Sequence, residues 1–367
     1  MSAASTGRSG VIPISRPFIG EEERAAVLAV LDSGMLVQGP QVAALEAEFA
    51  DRLGVRHAVA TSSGTTALHL ALLAHGIGQG DEVITSAFSF VATANTILQV
   101  GARPVFAEVD ERTFNLNPDA VAAAVTRRTK AIVPVHLYGQ PCDMDRIGDV
   151  AARHRLAIVE DAAQAVGATY KDRPVGTFGT GCFSFYATKN VASGEGGIVT
   201  TNDDDVADRV RLLRQHGMRA RYAYEMLGFN FRMTDLHAAI CRVQLGRLDE
   251  LTRRRQANAA FLSRSITSVV TPAEEDDRTH VWHQYTVRLA RPGQDRDAAT
   301  HRLEEAGVGF GIFYPQGLHQ LPHVRAVAGN GRLPVTERLA REVVSLPVHP
   351  SLTLDQLARV AETVNAL

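Results

Sequence analysis

The sequence predicts a mixed α/β protein in which helices cover a mostly parallel sheet, followed by a smaller α+β unit. Short apolar stretches alternate with helical stretches over residues 57–162, a pattern typical of parallel sheets. The length of 367 residues exceeds the usual size of a single hydrophobic core. A long helical stretch over residues 234–265 can link two units. We therefore predict a large domain over residues 1–250 and a small C-terminal domain over residues 251–367.

Each element of the large domain follows from its residue pattern. Residues 20–34 have helical spacing with acidic residues in the first turn, and residues 41–54 form a second helix. Apolar stretches of strand length then alternate with stretches of helical periodicity. The predicted strands are residues 57–61, 81–86, 103–110, 130–137 and 156–162, and the helices between them are residues 62–76, 91–101, 118–129 and 144–155.

The remaining pattern predicts two more strands of the main sheet and then the second unit. Residues 182–187 and 196–201 are short strands, which we place at one side of the sheet. Residues 234–265 are helical throughout. The smaller unit combines the apolar stretches 284–290 and 310–315 with a helix around residues 296–306 and two closing helices.

Composition and charge argue against several classes of protein. Hydrophobic residues make up 45% and charged residues 21%, with a net charge of −2, so a general nucleic-acid binder is not expected. Three widely spaced cysteines show no metal-ligand pattern, which indicates a reduced protein without structural zinc or disulfides. We find no signal-peptide core and no run of membrane-spanning length, and we expect a cytoplasmic location.

A rare lysine is the first candidate for chemistry. Lysine occurs only at Lys130, Lys171 and Lys189, although lysine and arginine together number 38. Lys189 lies between an aromatic-rich stretch and a glycine pair in "FSFYATKNVASGEGG". A surface lysine is the ordinary interpretation, yet this chain uses arginine on its surfaces. Because lysine can lose its proton and act as an amine nucleophile, whereas arginine cannot, the position favours a chemical role.

Two further stretches follow apolar strands, where open parallel sheets bind their ligands. In "TSSGTTALHL" a strand ends at Thr61, and hydroxyl residues with Gly64 form a turn before a helix. The free amides of such a turn suit a phosphate, although an ordinary helix cap explains the pattern equally well. In "IVEDAAQAVG" the carboxylates of Glu160 and Asp161 follow a strand, and a helix cap or a surface pair is an equal alternative.

The three stretches together are more informative than each alone. A phosphate-binding turn, a carboxylate for a protonated ring nitrogen and an amine nucleophile are the requirements for binding pyridoxal 5'-phosphate. The carboxylate keeps the ring charged, so that the ring accepts electrons from a carbanion. The lysine holds the cofactor covalently and then acts as the base that moves a proton. Asp161 and Lys189, both at strand ends, suit these two roles.

The ordered motifs of the chain resemble those of the DegT/DnrJ/EryC/StrS family of sugar aminotransferases. The resemblance runs from "GPQVAALEAEFA" through "TSSGTTALHLAL", "VEDAAQAVGA", "FSFYATKNVASGEGG" and "GFNFRMTDLHAAI" to "SLPVHPSLT", and so covers nearly the whole chain. It implies a fold-type I enzyme that depends on pyridoxal phosphate. It also implies a homodimer whose active sites lie at the subunit interface.

The resemblance assigns cofactor-ring contacts to four residues. Lys189 corresponds to the lysine that binds the cofactor, and Asp161 corresponds to the partner of the pyridine nitrogen. Gln164 occupies the place near the ring hydroxyl, where relatives often have histidine. Phe90 corresponds to the aromatic residue that stacks on the ring, although without the family Phe88 and Phe90 would be assigned to the core.

The phosphate contacts that the resemblance implies come from three stretches. Gly64, Thr65 and Thr66 would bind the phosphate through backbone and hydroxyl groups, and Ser184 would add another hydroxyl. Asn230, in "GFNFRM", resembles the asparagine that reaches the phosphate from the neighbouring subunit.

The family transfers amino groups to nucleotide-linked keto sugars, usually from glutamate. The resemblance places Tyr314 and His319 where relatives line the cleft for sugar and nucleotide. Arg232 is positioned to meet the diphosphate or the carboxylate of the donor. His283 and His349 are weaker candidates, which we interpret as structural residues.

Two details of the lysine stretch narrow the predicted reaction. Family members that act as dehydratases carry histidine in place of the lysine, so Lys189 favours amino transfer. The tail "KNVASGEGG" is closer to enzymes that aminate sugar carbon four than to the "KNLGxxGDGG" of those that aminate carbon three. We therefore expect a dTDP-linked 4-keto-6-deoxy sugar as acceptor. A 3-keto sugar nucleotide, a keto-cyclitol of the scyllo-inosose type and a non-catalytic cofactor-binding regulator are the alternatives.

Overall fold

The structure, a computed structural model, describes residues 10–367. Strands and helices alternate over the first half of the chain, as predicted from the sequence. The strands are β1 (His57–Thr61), β2 (Glu82–Ser86), β3 (Arg103–Ala107), β4 (Thr129–Val133), β5 (Ala157–Asp161), β6 (Thr169–Tyr170), β7 (Arg173–Pro174), β8 (Thr180–Ser184), β9 (Gly197–Thr201), β10 (Met218–Ala220), β11 (Ala223–Tyr224), β12 (Arg278–Thr279), β13 (Tyr285–Arg288) and β14 (Val343–Leu346).

The helices surround these strands and also begin and end the described chain. They are α1 (Glu21–Ser33), α2 (Pro40–Leu53), α3 (Gly64–Ala74), α4 (Val91–Gln99), α5 (Pro118–Ala124), α6 (Met144–His154), α7 (Asp204–Arg214), α8 (Asp235–Gly246), α9 (Leu248–Ser265), α10 (Arg296–Glu305), α11 (Pro322–Ala328), α12 (Pro334–Glu342) and α13 (Leu354–Asn365). Within residues 10–367 no helix combines the length and the apolar composition that a membrane crossing requires.

The main sheet has seven strands in the order β1-β9-β8-β5-β4-β2-β3. Six of them run in one direction, and β9 runs antiparallel to its neighbours β1 and β8. The two late strands therefore lie at the β1 side of the sheet, as predicted, although β9 is inserted between β1 and β8 and is not an edge strand. The predicted fold class, a mostly parallel sheet between helices, is confirmed.

Both faces of the sheet are buried because successive strand residues point to opposite sides. In β1, Ala58 and Ala60 pack in one cluster with residues of α2 and α8. Val59 packs in a second cluster with residues of α3 and α7 on the other face. This arrangement explains why the strands read as nearly continuous apolar stretches in the sequence.

The carboxyl ends of the six co-directional strands form one edge of the sheet, which we call the carboxyl edge. Thr61, Ser86, Asp161 and Ser184 are the last residues of β1, β2, β5 and β8. The start of the reversed strand β9 lies at the same edge, since Gly197 pairs with both Thr61 and Ser184. The stretches with predicted chemistry therefore converge at this edge.

A second core lies in the C-terminal part of the chain. It contains buried residues of α9, β13, α10, β14 and α13, among them Leu262, Tyr285 and Leu346. Ile12 from the N-terminal segment also packs in this core, and its N–H donates to the Gly307 carbonyl at 2.9 Å. The division into domains at residues 250 and 251 stays a prediction.

The single helix predicted over residues 234–265 is wrong, because the chain bends at Arg247. Arg247 has φ −98° and ψ 0° and separates α8 from α9. Its guanidinium forms ion pairs with Glu22 and Glu23 of α1, at 2.8 Å and 3.1 Å. The two helices pack on different partners, since α8 contacts α1 and α2 whereas α9 contacts α13.

The end of the chain also differs from the prediction of two closing helices. After residues 310–315, which form only an isolated bridge between Gly311 and Ser345, the structure has α11, α12, β14 and α13. Strand β14 is too short and too close to α12 to stand out in the sequence. It is defined by antiparallel pairing with β13, which lies much earlier in the chain, for example Tyr285 opposite Leu346.

Candidate active site

Lys189 lies in a compact loop after β8, at the carboxyl edge. The loop folds back on itself, since the Lys189 N–H donates to the Tyr186 carbonyl and the Ser193 N–H donates to the Phe185 carbonyl, both at 2.8 Å. The Lys189 side chain is half-buried. Burial lowers the pKa of its amine to about 8, against the opposing effect of the Asp161 charge. A larger fraction of Lys189 is therefore neutral and nucleophilic than for an ordinary lysine.

Asp161 ends β5, and its side chain is only 6% exposed. The Thr93 hydroxyl of α4 donates to Asp161 Oδ2 at 2.7 Å, and the Ala163 N–H donates to Oδ1 at 3.2 Å. Burial raises the pKa of Asp161, and these hydrogen bonds together with the Lys189 charge oppose the rise. A carboxylate can accept about four hydrogen bonds, so Asp161 can accept a further one from a cationic ligand.

Glu160, the preceding residue, has a structural role on the opposite face of β5. Its carboxylate is fully buried and accepts hydrogen bonds from the backbone N–H groups of Gly176, Phe178 and Gly179, at 2.7, 2.8 and 3.0 Å. His136 Nε2 lies 3.0 Å from Glu160 Oε2. Alternation along the strand therefore directs the two carboxylates to opposite faces of the sheet. Asp161 is the carboxylate near Lys189.

The turn after β1 brings Gly64 close to Ser184. A Cβ atom at Gly64 would lie 2.6 Å from the Ser184 Cβ, so no larger residue fits without displacement. Gly64 and Thr65 open α3, and their N–H groups have no acceptor among residues 10–367. Ser184 is buried at the end of β8. Two unpaired amides at a helix start beside hydroxyl groups can bind an anion.

Thr66, also predicted as a phosphate contact, is engaged in the cap of α3. Its hydroxyl donates to the Ser63 carbonyl at 2.8 Å and accepts from the Ser63 N–H at 3.0 Å, while its own N–H donates to Ser63 Oγ at 3.1 Å. The helix-cap interpretation of the turn is confirmed, and the phosphate-binding role of Thr66 stays a prediction. Ser63 and Thr66 form the helix cap, and the N–H groups of Gly64 and Thr65 remain available.

Phe90, Gln164 and Tyr314 lie together on one side of the carboxyl edge. Phe90 precedes α4 and is 56% exposed, so it is not a core residue. Its ring centroid is 6.3 Å from that of Tyr314. Gln164 Nε2 donates to the Tyr314 hydroxyl at 3.1 Å, and Gln164 Oε1 accepts from the Tyr138 N–H at 2.8 Å. Tyr314, predicted as a sugar contact, thus lies beside the two predicted ring contacts.

Asn230 and Arg232 alternate with two phenylalanines along an extended segment. The rings of Phe229 and Phe231 stack at 4.8 Å and pack near His69 of α3. The Phe231 carbonyl accepts from the Ser62 N–H at 2.8 Å, which ties the segment to the turn after β1. Asn230 is exposed and Arg232 is half-buried.

The three histidines considered from the sequence are buried. His319 lies 3.4 Å from Glu337 Oε1 and packs near Phe106, so its side chain does not line an open cleft. His283 Nδ1 lies 3.4 Å from Asn190 Oδ1, and burial together with the charges of Lys189 and Arg255 lowers its pKa well below the usual value.

Sequence reasoning missed Thr93 and Arg255. Thr93 contacts Asp161 from a helix that lies 68 positions earlier in the chain. Arg255 of α9 lies close enough to His283 for its charge to lower the pKa of that imidazole, and this proximity exists only in the folded chain. A hydroxyl in the first turn of a helix after a strand end was a weak signal for Thr93. Nothing distinguished Arg255 from its neighbours Arg253 and Arg254.

Comparison with known proteins identifies the family. The model of the DegT/DnrJ/EryC1/StrS aminotransferase family matches residues 17–365. The chain belongs to this family. It is a sugar aminotransferase that depends on pyridoxal 5'-phosphate, as the motifs predicted.

Two curated relatives are 43% identical to the chain. One is the "Pleiotropic regulatory protein" of Geobacillus stearothermophilus, aligned over 357 residues that cover 94% of this chain and 95% of the relative. The other is the spore coat polysaccharide biosynthesis protein SpsC of Bacillus subtilis (strain 168), aligned over 377 residues that cover 97% of each protein.

Solved structures of similar proteins share the fold and document the cofactor. DesV of S. venezuelae, crystallised in complex with a ketimine intermediate, is 41% identical with a TM-score of 0.90, and the match covers 94% of each chain. The putative sugar aminotransferase Spr1654 of Streptococcus pneumoniae, solved in its PLP form, is 29% identical with a TM-score of 0.91 and covers 97% of this chain and 98% of that one.

The residues of the aminotransferase site fit pyridoxal phosphate. The turn offers two unpaired N–H groups and has no room for a Cβ at Gly64. Asp161 is a buried carboxylate with acceptor capacity left, and its pKa responds to the charge of Lys189. Exposed Phe90 provides an aromatic face at the same edge. A phosphate, a ring nitrogen and an aldehyde therefore each have a chemically matched group.

Proposed function

We propose that the protein transfers the amino group of L-glutamate to a nucleotide-linked keto sugar, with a dTDP-linked 4-keto-6-deoxy sugar as acceptor. The observation that carries the proposal is the half-buried Lys189, with a pKa lowered to about 8, near the buried carboxylate of Asp161. The polysaccharide function in the name of one relative supports a sugar acceptor. The stretch "KNVASGEGG" supports amination at carbon four.

Lys189 is assigned the proton transfers. When bound, the cofactor supplies a ring that accepts electrons from the substrate carbon. Lys189 would hold the cofactor through its amine and, once freed by the donor amine, would take the proton from the α carbon of glutamate. In the second half of the cycle, Lys189 would return a proton to the sugar carbon. Asp161 would accept a hydrogen bond from the protonated ring nitrogen and stabilise its positive charge.

The remaining cofactor contacts are assigned by position. The N–H groups of Gly64 and Thr65 with the hydroxyl groups of Thr65 and Ser184 would hold the phosphate. Phe90 would cover one face of the ring, and Gln164 would contact the ring hydroxyl.

The acceptor contacts are more distant from the ring. Arg232 is half-buried and has no ion pair within residues 10–367, which suits a diphosphate or a carboxylate. Tyr314 lies beside the ring contacts and can reach a sugar. His319 is buried against Glu337, so we assign it an indirect role through the segment that carries Tyr314.

We further propose a homodimer in which Asn230 completes the phosphate site of the partner subunit. Asn230 is exposed, and exposed apolar side chains lie on the hairpin of β10 and β11 and just after it, including Tyr222 at 71% and Leu227 at 83%. Exposed apolar groups of this size often mark an interface. Equal mixing of an Asn230→Ala and a Lys189→Ala variant under conditions of subunit exchange would test this, because hybrid dimers would regain one intact site.

The three cysteines are free, which suits a cytoplasmic location.

The reaction can be tested in two separate halves. The purified protein with pyridoxal phosphate is mixed with L-glutamate, and loss of the visible absorbance of the lysine-bound cofactor is followed. The aminated enzyme is then offered a 4-keto sugar nucleotide, a 3-keto sugar nucleotide and a keto-cyclitol. We expect the 4-keto sugar nucleotide to restore the absorbance fastest. Faster reaction with either of the other ketones would refute the 4-keto sugar nucleotide as the acceptor. Absence of both half-reactions would favour a non-catalytic regulator that binds the cofactor.

Variants at two lysines provide the matched control. Lys189→Arg keeps a positive charge but removes the nucleophile, and we expect turnover to fall by at least about 10³-fold. Lys171→Arg is the control, because Lys171 is exposed and forms an ion pair with Asp145 at 2.5 Å. Turnover retained by Lys189→Arg would contradict the assigned chemistry.

A further inference from the structure

Arg255 of α9 is a buried guanidinium without a carboxylate partner. Its side chain is 6% exposed, and its Nη1 donates a hydrogen bond to the Trp282 carbonyl at 3.2 Å. Its Nε has no hydrogen-bond partner among residues 10–367. Burial lowers its pKa to about 10, so it remains cationic at neutral pH. Buried charges are normally paired, because desolvation of an unpaired charge is costly.

Arg214 shows how this chain treats another buried guanidinium. It is 5% exposed, and its Nη1 lies 2.6 Å from Glu46 Oε1 and donates to the Ala60 carbonyl at 2.7 Å. Arg254, the neighbour of Arg255, pairs with Glu250 at 2.6 Å. Arg255 therefore differs from both by having no counter-charge within the described chain.

Arg255 and Lys189 border the same narrow cavity. The cavity lies between the N-terminal segment 15–18, the loop that carries Lys189, helices α8 and α9, and Pro350. Arg16 adds a third cation, and no Asp or Glu of the described residues lines the cavity. The wall nearest the reactive amine is thus positively charged.

Neighbouring histidines add no further charge to this wall. Burial and the charges of Lys189 and Arg255 lower the pKa of His283 well below its usual value. His349 is influenced by Arg255 and Arg16, and burial lowers its pKa to about 4. Both imidazoles are therefore neutral at physiological pH. An anion from outside the chain is the natural counter-charge.

We propose that Arg255, with Arg16, forms a subsite for a carboxylate of the amino donor. The inference rests on the proposed function, in which the donor reacts beside Lys189. A guanidinium binds a carboxylate through paired hydrogen bonds, and both groups are planar. Arg255 would thus contribute to specificity for the amino donor. This role is separate from that of the turn at Gly64, which is proposed to bind the cofactor phosphate.

Glutarate, a dicarboxylate without an amine, is the probe for the subsite. Its affinity for the holoenzyme can be measured by calorimetry without any turnover. For Arg255→Gln we expect the glutarate Kd and the half-saturating L-glutamate concentration to rise about 10- to 100-fold, the range for one charged hydrogen-bond contact. Binding of the keto sugar nucleotide to the aminated enzyme should be unchanged.

Three variants keep the test informative. Arg254→Gln is the matched control, since Arg254 is next in sequence but pairs with Glu250 on the surface, and it should bind glutarate like the wild type. Arg255→Lys retains the charge and should recover part of the affinity. Arg16→Gln changes an exposed side chain, so this variant can replace Arg255→Gln in the test if Arg255→Gln does not fold. It should also weaken glutarate binding.

The outcomes separate this inference from the proposed function. Unchanged glutarate affinity in Arg255→Gln and Arg16→Gln would overturn the subsite. Loss of nucleotide affinity in place of glutarate affinity would also overturn it, since the cavity would then hold a phosphate. If the wild type fails to react with L-glutamate but its glutarate affinity depends on Arg255, the subsite stands and the proposed donor is wrong.

Discussion

The hydroxyl of Thr93 donates a hydrogen bond to Asp161 Oδ2 at 2.7 Å, joining helix α4 to the end of strand β5. Thr93 is itself buried and lies 2.9 Å from the Ser89 hydroxyl. The contact lowers the pKa of Asp161, whereas burial raises it. Thr93 is therefore a positioning residue for the Asp161 carboxylate, which we propose as the partner of the cofactor ring nitrogen.

Replacing Thr93 by valine tests this contact. Valine keeps the shape but removes the hydrogen bond, so the Asp161 pKa should rise and the acid limb of the kcat profile should move to higher pH. A hydrogen bond to a charged group contributes about 1.5–3 kcal/mol, so we expect cofactor affinity to fall about 10- to 100-fold. Thr96→Val is the control, since Thr96 is buried in the same helix but its hydroxyl donates to the Thr93 carbonyl. An unmoved pH profile would argue against the role.

Lys189 should titrate below an ordinary lysine. In the apoenzyme, competitive labelling with acetic anhydride should give a midpoint near pH 8 for Lys189, because burial lowers the pKa of its amine to about 8. Only the neutral amine reacts, so labelling should rise with pH through this value. Lys171 is the internal control, since its hydrogen bond with Asp145 raises its pKa. Equal midpoints for the two lysines, read by mass spectrometry, would contradict the prediction.

Alanine at Gly64 should weaken the phosphate turn. The added Cβ would lie 2.6 Å from the Ser184 Cβ, which forces the turn and β8 apart. We expect cofactor affinity to fall at least about 10-fold and the free energy of unfolding to fall by about 1–3 kcal/mol. Gly148→Ala in α6 is the control, because a Cβ there has no neighbour within 4 Å. Cofactor titration and urea unfolding would measure both effects, and wild-type affinity in Gly64→Ala would count against the turn.

Substitutions of the adjacent carboxylates Glu160 and Asp161 should have different effects, one on stability and the other on activity. Glu160→Gln weakens the contacts to three backbone N–H groups, and we expect the free energy of unfolding to fall by about 2–3 kcal/mol. Asp161→Asn removes a buried carboxylate whose pKa burial raises, so stability should be kept while turnover is lost. Urea unfolding would measure the stability of both variants, and a turnover assay would measure their activity. A stability loss in Asp161→Asn equal to that in Glu160→Gln would contradict this division.

Local pattern predicted most of the large domain. Strands β1 to β5 and the helices between them follow from apolar stretches and helical periodicity, because both faces of a parallel sheet are buried. Pairing over long distances was not predictable in the same way. The insertion of β9 between β1 and β8 and the pairing of β13 with β14 depend on contacts between distant residues. The bend at Arg247 depends on ion pairs with α1, which a helical pattern does not contain.

The sequence by itself determined the cofactor and the family, because Lys189, Asp161 and the turn at Gly64 lie in short motifs with a recognisable chemistry. The assignment of these residues as the reactive ones stays a prediction. Only the tertiary structure decided what holds the Asp161 carboxylate, what Glu160 binds, and which arginine is left without a counter-charge. Glu160 and Asp161 are equivalent in a linear reading, and the pleat of β5 separates them. Thr93 and Arg255 acquire their roles through neighbours far along the chain, and such proximity exists only after folding.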